Sequence, residues 1–164
     1  MSEAGPQAGD RALTGAEAVV ATLLGCGIDT CIANPGTSEL HLVAAFDRIP
    51  GVRCILGLAE GVVTGAADGY GRMSDRPAVT LLHCGPGLAN GLANLHNARR
   101  AATPVVNIVG DHTIRHLAHD PPLAADIESW ARPVSAWYRS ASDPATVGAD
   151  VAEAVRAALE PPGR

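Results

Sequence analysis

Residues 54–72 read Cys-Ile-Leu-Gly-Leu-Ala-Glu-Gly-Val-Val-Thr-Gly-Ala-Ala-Asp-Gly-Tyr-Gly-Arg, so an apolar run leads directly to one carboxylate, Glu60. The first part is typical of a strand, and the glycine- and alanine-rich second part is typical of a helix that another backbone can approach closely. A strand that buries Ile55 and Leu58 and delivers Glu60 to a sheet edge would hold an acid where water is scarce. Such a placement is costly unless the acid has a task or a partner. The alternative is that Glu60 only complements the dipole of the helix that it begins.

Strands and helices alternate along the chain on both sides of this stretch. Thr14, followed three residues later by Glu17, is a capping box that predicts a first helix ending near Gly25. Apolar or β-branched runs predict strands at residues 29–33, 52–56, 77–83, 104–109 and 133–138. The alternation predicts an α/β fold: a doubly wound, mainly parallel sheet of about five to six strands, with helices on both faces and a site at the carboxyl ends of the strands.

The composition is that of one globular domain, with 164 residues of which 47% are hydrophobic and 18% charged. Residues 1–12 are small and polar without periodicity, so we expect a disordered arm before a domain over residues 13–164. All 12 basic residues are arginine, which excludes the lysine of a phosphate-binding loop or of a Schiff base. Because the net charge is −5 and the arginines are scattered, we expect no nucleic-acid partner.

The four cysteines of the chain indicate the redox environment of the protein. Cys26, Cys31, Cys54 and Cys84 form no Cys-x-x-Cys pair and follow no secretory signal, so we expect four buried thiols in a reducing cytoplasm and no zinc site. The apolar runs are far shorter than the ~20 residues that span a bilayer. The sequence therefore predicts a cytoplasmic protein with no membrane partner.

Three predicted junctions between a strand and a helix carry polar or glycine-rich chemistry. They are residues 35–37, Glu60, and His83 with residues 85–87 and Asn90. The carboxyl ends of parallel strands meet at one edge of a sheet, so we expect these groups to converge there. A carboxylate, an imidazole and a hydroxyl in an apolar-walled crevice can perform acid–base chemistry. The alternative for His83 is a histidine that is simply satisfied at the edge of the core.

Two other motifs give less support for a functional site. His112, His116 and His119 have spacing that could place three metal ligands on one helical face, but a glycine before them and two prolines after them favour a surface loop. Residues 25–27 (Gly-Cys-Gly) lack the third glycine of a dinucleotide-binding turn and follow a helix. A Rossmann-like nucleotide-binding domain is therefore a weak alternative.

Taken together, several segments resemble the pyrimidine-binding domain of thiamine-diphosphate enzymes, in the acetolactate synthase and benzoylformate decarboxylase group. They are residues 34–39 (Asn-Pro-Gly-Thr-Ser-Glu), 58–60 (Leu-Ala-Glu), 66–70 (Ala-Ala-Asp-Gly-Tyr) and 83–90 (His-Cys-Gly-Pro-Gly-Leu-Ala-Asn). Their order and spacing are similar to the family's over residues 14 to about 160. The resemblance implies the thiamine-diphosphate-binding fold.

The resemblance implies two catalytic residues. In that family the glutamate at the place of Glu60 hydrogen-bonds the cofactor's aminopyrimidine ring and favours the imino tautomer that takes a proton from the thiazolium carbon. His83 corresponds to the proton-transfer histidine of the benzoylformate decarboxylase type. The histidine that usually precedes the glutamate is Ala59 here, so any role of that neighbour is lost.

The resemblance also implies cofactor contacts beyond these two residues. The loop that approaches the cofactor corresponds to Pro35 and Gly36, and Thr37 corresponds to a polar residue near the substrate carboxylate. Pro86 and Asn90 correspond to the family's Gly-Pro-Gly segment. The cofactor-binding residues implied are therefore Pro35, Gly36, Thr37, Glu60, Pro86 and Asn90.

One part of the family's site has no counterpart in the chain. The diphosphate and Mg²⁺ of thiamine diphosphate are held by a Gly-Asp-Gly segment in a separate domain, and nothing here matches it. Family members also run from a Pro-Gly turn like that of residues 161–163 into one more strand, so the resemblance implies a domain that lacks its last strand. We expect either a piece of a three-domain enzyme or a subunit completed by a separate partner, and the first fits the motifs better.

Two functions follow from the resemblance. The first is the pyrimidine half-site of a 2-keto acid decarboxylase or acetolactate-synthase-like carboligase, active only with a diphosphate-binding domain or subunit. The second is a non-catalytic or regulatory module that pairs with a complete enzyme. In both cases we expect a homo- or hetero-oligomer with a docking surface on the Gly/Ala-rich helix after Glu60.

Overall fold

The computed structural model describes residues 12–161. The predicted arm over residues 1–12 lies, apart from Ala12, outside the described residues. The strands are β1 (Thr30–Asn34), β2 (Arg53–Leu56), β3 (Ala78–Leu82) and β4 (Val105–Val109). The helices are α1 (Gly15–Gly25), α2 (Leu40–Arg48), α3 (Glu60–Ser74), α4 (Cys84–Arg100), α5 (Ile114–Leu117), α6 (Ile127–Ala131) and α7 (Val147–Leu159). Not one of these seven helices has both the length and the hydropathy to cross a lipid bilayer.

The four strands form one parallel sheet in the order β2-β1-β3-β4. Helices α1, α2 and α7 pack on one face, and α3, α4 and α6 pack on the other, which confirms the predicted helices on both faces. The side chains of each central strand alternate between the two cores: Cys31 and Ala33 belong to the first core, and Ile32 belongs to the second. The chain reverses its direction of travel between β1 and β3, which makes the gap between them the switch point of the sheet.

The first helix begins as predicted from its capping box. The Thr14 hydroxyl accepts a hydrogen bond from the Glu17 amide at 3.3 Å, and the Glu17 carboxylate accepts one from the Thr14 amide at 2.8 Å. These reciprocal bonds satisfy backbone donors that a helix start otherwise leaves without partners. The start of α1 is thus fixed by local sequence.

The predicted fifth strand at residues 133–138 is wrong, and the described part of the sheet has four strands rather than five to six. Arg132–Val134 instead forms a 3₁₀ turn that extends α6, and the Ser135 hydroxyl donates to the Ala131 carbonyl. Pro133 supplies no N–H for a strand ladder. The apolar side chains of Val134 and Tyr138 pack against the second core, so the apolar run that suggested a strand serves packing instead.

Strand β4 has the apolar sequence of a central strand, yet in the described residues its only paired neighbour is β3. A cavity of about 900 Å³ is lined by β4, by residues 134–144 and by α7. The side chains of β4 are consequently half-buried, apart from the buried Val106. A parallel strand with this apolar composition is usually buried on both faces. Residues 12–161 bury β4 only in part.

Strand β2 differs more sharply from expectation. It is an edge strand, and Ile55 in the strand and Leu58 after it, both expected to be buried, are 36% and 89% exposed. Leu56 is 67% exposed. The reason is that α3 packs against α4, β1 and β3 rather than covering β2. The apolar run before Glu60 is therefore a surface of the described chain.

We expect two glycines of α3, two residues apart, to respond oppositely to replacement by alanine. A Cβ at Gly71 would lie 2.5 Å from Thr103 Cγ2 and 3.0 Å from the Pro104 carbonyl oxygen, whereas a Cβ at Gly69 meets no heavy atom within 4 Å. Gly71→Ala should lower the free energy of unfolding by about 1–3 kcal/mol through overpacking. Gly69→Ala should raise it by up to about 1 kcal/mol through helix propensity. Urea denaturation measures both, and equal effects would contradict this packing of α3.

Candidate functional site at the switch point of the sheet

The carboxyl ends of β1 and β3 bring two loops together. The loop after β1 contains Gly36, and the junction between β3 and α4 is the single residue His83. A Cβ on Gly36 would lie 2.3–2.5 Å from ring atoms of His83, so the ring lies directly against the Gly36 backbone. Only glycine permits this approach, which is why the imidazole can occupy the gap between the two strands.

A buried carboxylate holds the imidazole in place. Glu39 is 0% exposed, and its Oε2 lies 2.7 Å from His83 Nδ1. The same oxygen accepts a hydrogen bond from the Gly36 amide at 2.7 Å. With Nδ1–H donating to this carboxylate, the other ring nitrogen, Nε2, is left with its lone pair. The Glu39–His83 pair can therefore accept and return a proton at Nε2.

The second carboxylate oxygen of Glu39 is enclosed as tightly as the first. The Cys84 thiol donates to Oε1 at 3.8 Å, and burial raises the pKa of that thiol, which keeps the donor protonated. A Cβ on Gly110, at the end of β4, would lie only 1.5 Å from Oε1. Three loops, after β1, β3 and β4, thus close around one carboxylate.

The turn after His83 has an unfavourable backbone conformation. Cys84 has φ = 51°, in the left-handed region that costs a residue with a side chain about 1–2 kcal/mol. Helix α4 begins at this residue, so Gly85, Pro86 and Gly87 of the predicted junction form the first helical turn instead of a loop before the helix. Proline is tolerated there because the first N–H groups of a helix have no partner within it.

Glu60 begins α3, as predicted, and its side chain is half-buried. The Asn90 amide of α4 donates to Glu60 Oε2 at 3.3 Å. A Cβ on Gly87 would lie 3.1 Å from Glu60 Oε1, so the glycine keeps the space beside that oxygen open. Within residues 12–161, Oε1 has no hydrogen-bond partner. The carboxylate is fixed at one oxygen and available at the other.

The remaining predicted residues lie on the same loops but make fewer contacts. Pro35 is half-buried, whereas Thr37 and Pro86 are exposed. The Asn34 side chain donates to the Gly57 carbonyl at 2.7 Å and so ties the loop after β1 to the loop that precedes Glu60. No hydrogen bond of the Thr37 side chain occurs in the described part of the chain.

The structure therefore brings the predicted residues together in two groups that share the start of α4. One group is Gly36 with His83, and the other is Glu60 with Asn90 and Gly87. The Gly87 amide donates to the His83 carbonyl at 2.8 Å, which links the groups through the backbone. Each group thus joins residues from two of the three predicted junctions.

Sequence reasoning missed Glu39, the most enclosed charged residue of the site. A signal was present: a glutamate three residues after a helix-starting loop residue commonly reaches back to the backbone amide at that start. Glu39 does so to Gly36. Its contact with His83, 44 residues later in the chain, could not be derived from local spacing.

The other candidate metal ligands were His112, His116 and His119. His112 and His116 lie edge to face with ring centroids 5.4 Å apart, and α5 between residues 114 and 117 replaces the expected irregular loop. In the described residues the only group of three potential ligands is Glu39, His83 and Cys84, whose ligand atoms lie within 4.8 Å of one another. These atoms satisfy one another by hydrogen bonds, so no ion is needed to hold them.

The cysteines also depart from expectation. Cys31 and Cys84 are buried, but Cys26 and Cys54 are exposed, and all four are free thiols. The exposure of Cys54 follows from the position of β2 at the sheet edge.

Sequence comparison matches the chain to known proteins. Residues 13–129 match the family described as thiamine pyrophosphate enzyme, N-terminal TPP binding domain. A candidate acetolactate synthase large subunit of Mycobacterium tuberculosis, IlvX, is 56% identical over 145 residues, which are 88% of this chain and 28% of that protein. Benzoylformate decarboxylase of Pseudomonas aeruginosa is 33% identical over 83% of this chain and 26% of its own length.

A solved structure of a relative has the same fold as this chain. Benzoylformate decarboxylase from Polynucleobacter necessarius superposes with a TM-score of 0.84 at 26% identity, over 92% of this chain and 28% of that one. This chain spans 28% of the length of the Mycobacterium tuberculosis relative as well. The chain belongs to the thiamine pyrophosphate enzyme family and corresponds to its N-terminal TPP binding domain.

Proposed function

We propose that this chain supplies the pyrimidine half of a thiamine diphosphate site for a 2-keto acid decarboxylase or an acetolactate-synthase-like carboligase. A diphosphate-binding domain from elsewhere would complete the site and hold the Mg²⁺. The observation that carries the proposal is the carboxylate of Glu60, which Asn90 holds at one oxygen while the other faces the gap beside Gly87.

The residues present fit an aminopyrimidine. A carboxyl oxygen without a partner can share a proton with a ring nitrogen, and no side chain at Gly87 blocks the approach to that oxygen. Asn90 keeps the carboxylate oriented from α4, a helix packed firmly against α3. The orientation therefore comes from two regular elements, which hold a side chain more rigidly than loops do.

When bound, thiamine diphosphate supplies the thiazolium carbon that attacks a 2-keto acid. Glu60 would hold the proton shared with the pyrimidine at Oε1. His83 would accept or deliver a proton at Nε2, because Glu39 fixes the Nδ1 tautomer from the opposite side of the ring. Glu39 itself would act by positioning His83, since its carboxylate is fully buried.

The other predicted contacts remain part of this proposal. Pro35 and Gly36 would approach the cofactor from the loop after β1, and Pro86 and Asn90 from the first turns of α4. The exposed Thr37 side chain would be available to a substrate carboxylate at the mouth of the site. Names of relatives include both acetolactate synthases and benzoylformate decarboxylases, which supports the 2-keto acid class.

The surface around Glu60 supports a partner. Leu56, Leu58 and Val62 are 67%, 89% and 60% exposed, and they lie just before and just after Glu60 at the start of α3. Exposed apolar side chains that lie close together commonly mark a surface covered by another domain. We propose that the diphosphate-binding domain docks here and closes the site over Glu60.

The test is a calorimetric titration with thiamine diphosphate and Mg²⁺ of the chain alone, of a separately expressed diphosphate-binding domain of this family, and of the two together. The proposal predicts tight, saturable binding only for the mixture, accompanied by turnover of a 2-keto acid. Tight binding by the chain alone would overturn the proposed division of the site.

The second candidate function is a non-catalytic module that pairs with a complete enzyme, which the same exposed apolar surface favours. The titration separates the two. A mixture that forms a stable complex without turnover of any 2-keto acid, while Glu60 is intact, would favour the module.

A further inference from the structure

Two cysteines face each other across neighbouring strands outside the site. Cys31 on β1 and Cys54 on β2 are directly paired in the parallel register. Paired residues of adjacent strands point to the same face, and their Cα atoms are about 4.8 Å apart. That separation lies within the range of about 4.4–6.8 Å that a disulfide spans. The register therefore permits a bond between these two sulfurs.

The two thiols differ completely in access to solvent. Cys31 is 0% exposed in the first core, whereas Cys54 is exposed at the sheet edge. Contact with the Cys31 thiol lowers the pKa of Cys54 to about 7, and the same contact together with burial raises the pKa of Cys31. The accessible sulfur is therefore the one that loses its proton more readily.

We propose that Cys54 and Cys31 form a redox-active dithiol pair, in which a hydroperoxide oxidises Cys54 and Cys31 then closes a reversible disulfide between β1 and β2. In the first step the Cys54 thiolate attacks the terminal peroxide oxygen, the O–O bond breaks, and an alkoxide leaves. The product is a sulfenic acid on Cys54.

In the second step the Cys31 sulfur attacks the Cys54 sulfur, the S–O bond breaks, and the leaving hydroxide takes the Cys31 proton as water. Overall, two thiols and one hydroperoxide give one disulfide, one alcohol and one water. Two electrons pass from the thiols to the peroxide, and a dithiol reductant reverses the change. The disulfide would link β2, the edge strand that precedes Glu60, covalently to β1.

Cys26 provides a matched control because it is also exposed but lies at the end of α1, away from the paired strands. We expect iodoacetamide to alkylate Cys54 several times faster than Cys26 at pH 7, since the thiolate is the nucleophile. The rate at Cys54 should rise with pH to a plateau with a midpoint near 7. A rate at Cys54 no greater than at Cys26 would contradict the activation of Cys54.

The decisive experiment treats the reduced full chain carrying Cys26→Ser with tert-butyl hydroperoxide, then alkylates it and digests it with trypsin. Because every basic residue is arginine, Cys31 falls in residues 12–48 and Cys54 in residues 54–72. We expect these two peptides joined in monomeric protein, with two hydrogens lost, and released by dithiothreitol. Sulfinic acid on Cys54 with Cys31 still alkylatable after denaturation would overturn the proposal, and so would disulfides found only between chains.

Two variants complete the test. Cys31→Ala should leave Cys54 as a sulfenic acid that dimedone traps. Cys54→Ser changes an exposed position and so leaves the core unaltered; in it Cys31 should stay reduced under the same treatment. Oxidation of Cys31 in the Cys54→Ser chain would show that Cys31 does not depend on Cys54 and would overturn the assigned order.

Discussion

Replacing Glu60 by glutamine is expected to lower turnover of a 2-keto acid by the assembled enzyme by about 10²–10⁴-fold, the range typical of a lost acid–base group. Glutamine keeps the size of the side chain and an oxygen that can accept from Asn90, so the fold should be unchanged. It cannot hold and release a proton at the free position. Steady-state kinetics of the assembled enzyme, with circular dichroism of the variant chain, measure both effects.

The matched control is Glu160→Gln, which alters an exposed carboxylate paired with Arg156 at the end of α7. That helix packs on the opposite face of the sheet from α3. The control should keep normal turnover. If Glu60→Gln also kept at least a third of wild-type turnover, Glu60 would have no proton-transfer role.

Replacing Gly110 by alanine is expected to destabilise the chain by at least about 2 kcal/mol, because a Cβ there would lie 1.5 Å from Glu39 Oε1. The carboxylate cannot move aside without breaking its bonds to Gly36 and His83. Each hydrogen bond to a charged group contributes about 1.5–3 kcal/mol, and the displaced charge would remain buried. Urea denaturation of the variant gives the free energy of unfolding.

A double-mutant cycle shows whether Glu39 is the cause. In a chain that already carries Glu39→Ala, the added Gly110→Ala should cost little, since the overlapping atoms are gone. Gly25→Ala, where no heavy atom lies within 4 Å of the new Cβ, should have a small effect. An equal cost of Gly110→Ala with and without Glu39 would contradict the enclosed carboxylate.

The parts of the fold that local chemistry determines could be predicted from the sequence. The capping box at Thr14 fixes the start of α1, and the apolar run at residues 104–109 forms β4. The start of α3 at Glu60 also follows from its sequence, because small residues continue the helix from that point. Proline and glycine at residues 35–36 predicted the loop after β1, whereas those at residues 85–87 belong to α4.

The errors arise where long-range packing decides the structure. Residues 133–138 have the apolar composition of a strand. Pro133 cannot donate to a strand ladder, and Val134 and Tyr138 pack against the second core beside α6 instead. The apolar side chains of Ile55 and Leu58 gave no sign that β2 would lie at an edge, because the sequence does not give strand order. The pairing of Glu39 with His83 joins two loops through the switch point, which no local spacing encodes.

The most direct test of the central claim is the rate of deuterium exchange at the thiazolium carbon of thiamine diphosphate, followed by NMR after rapid quenching of the assembled enzyme. Because Glu60 is the group proposed to hold the pyrimidine proton, exchange should be at least about 100-fold slower in Glu60→Gln than in wild type. In the Glu160→Gln control it should be unchanged. Equal exchange rates in wild type and Glu60→Gln would contradict the assignment of this chain as the half of the site that activates the cofactor.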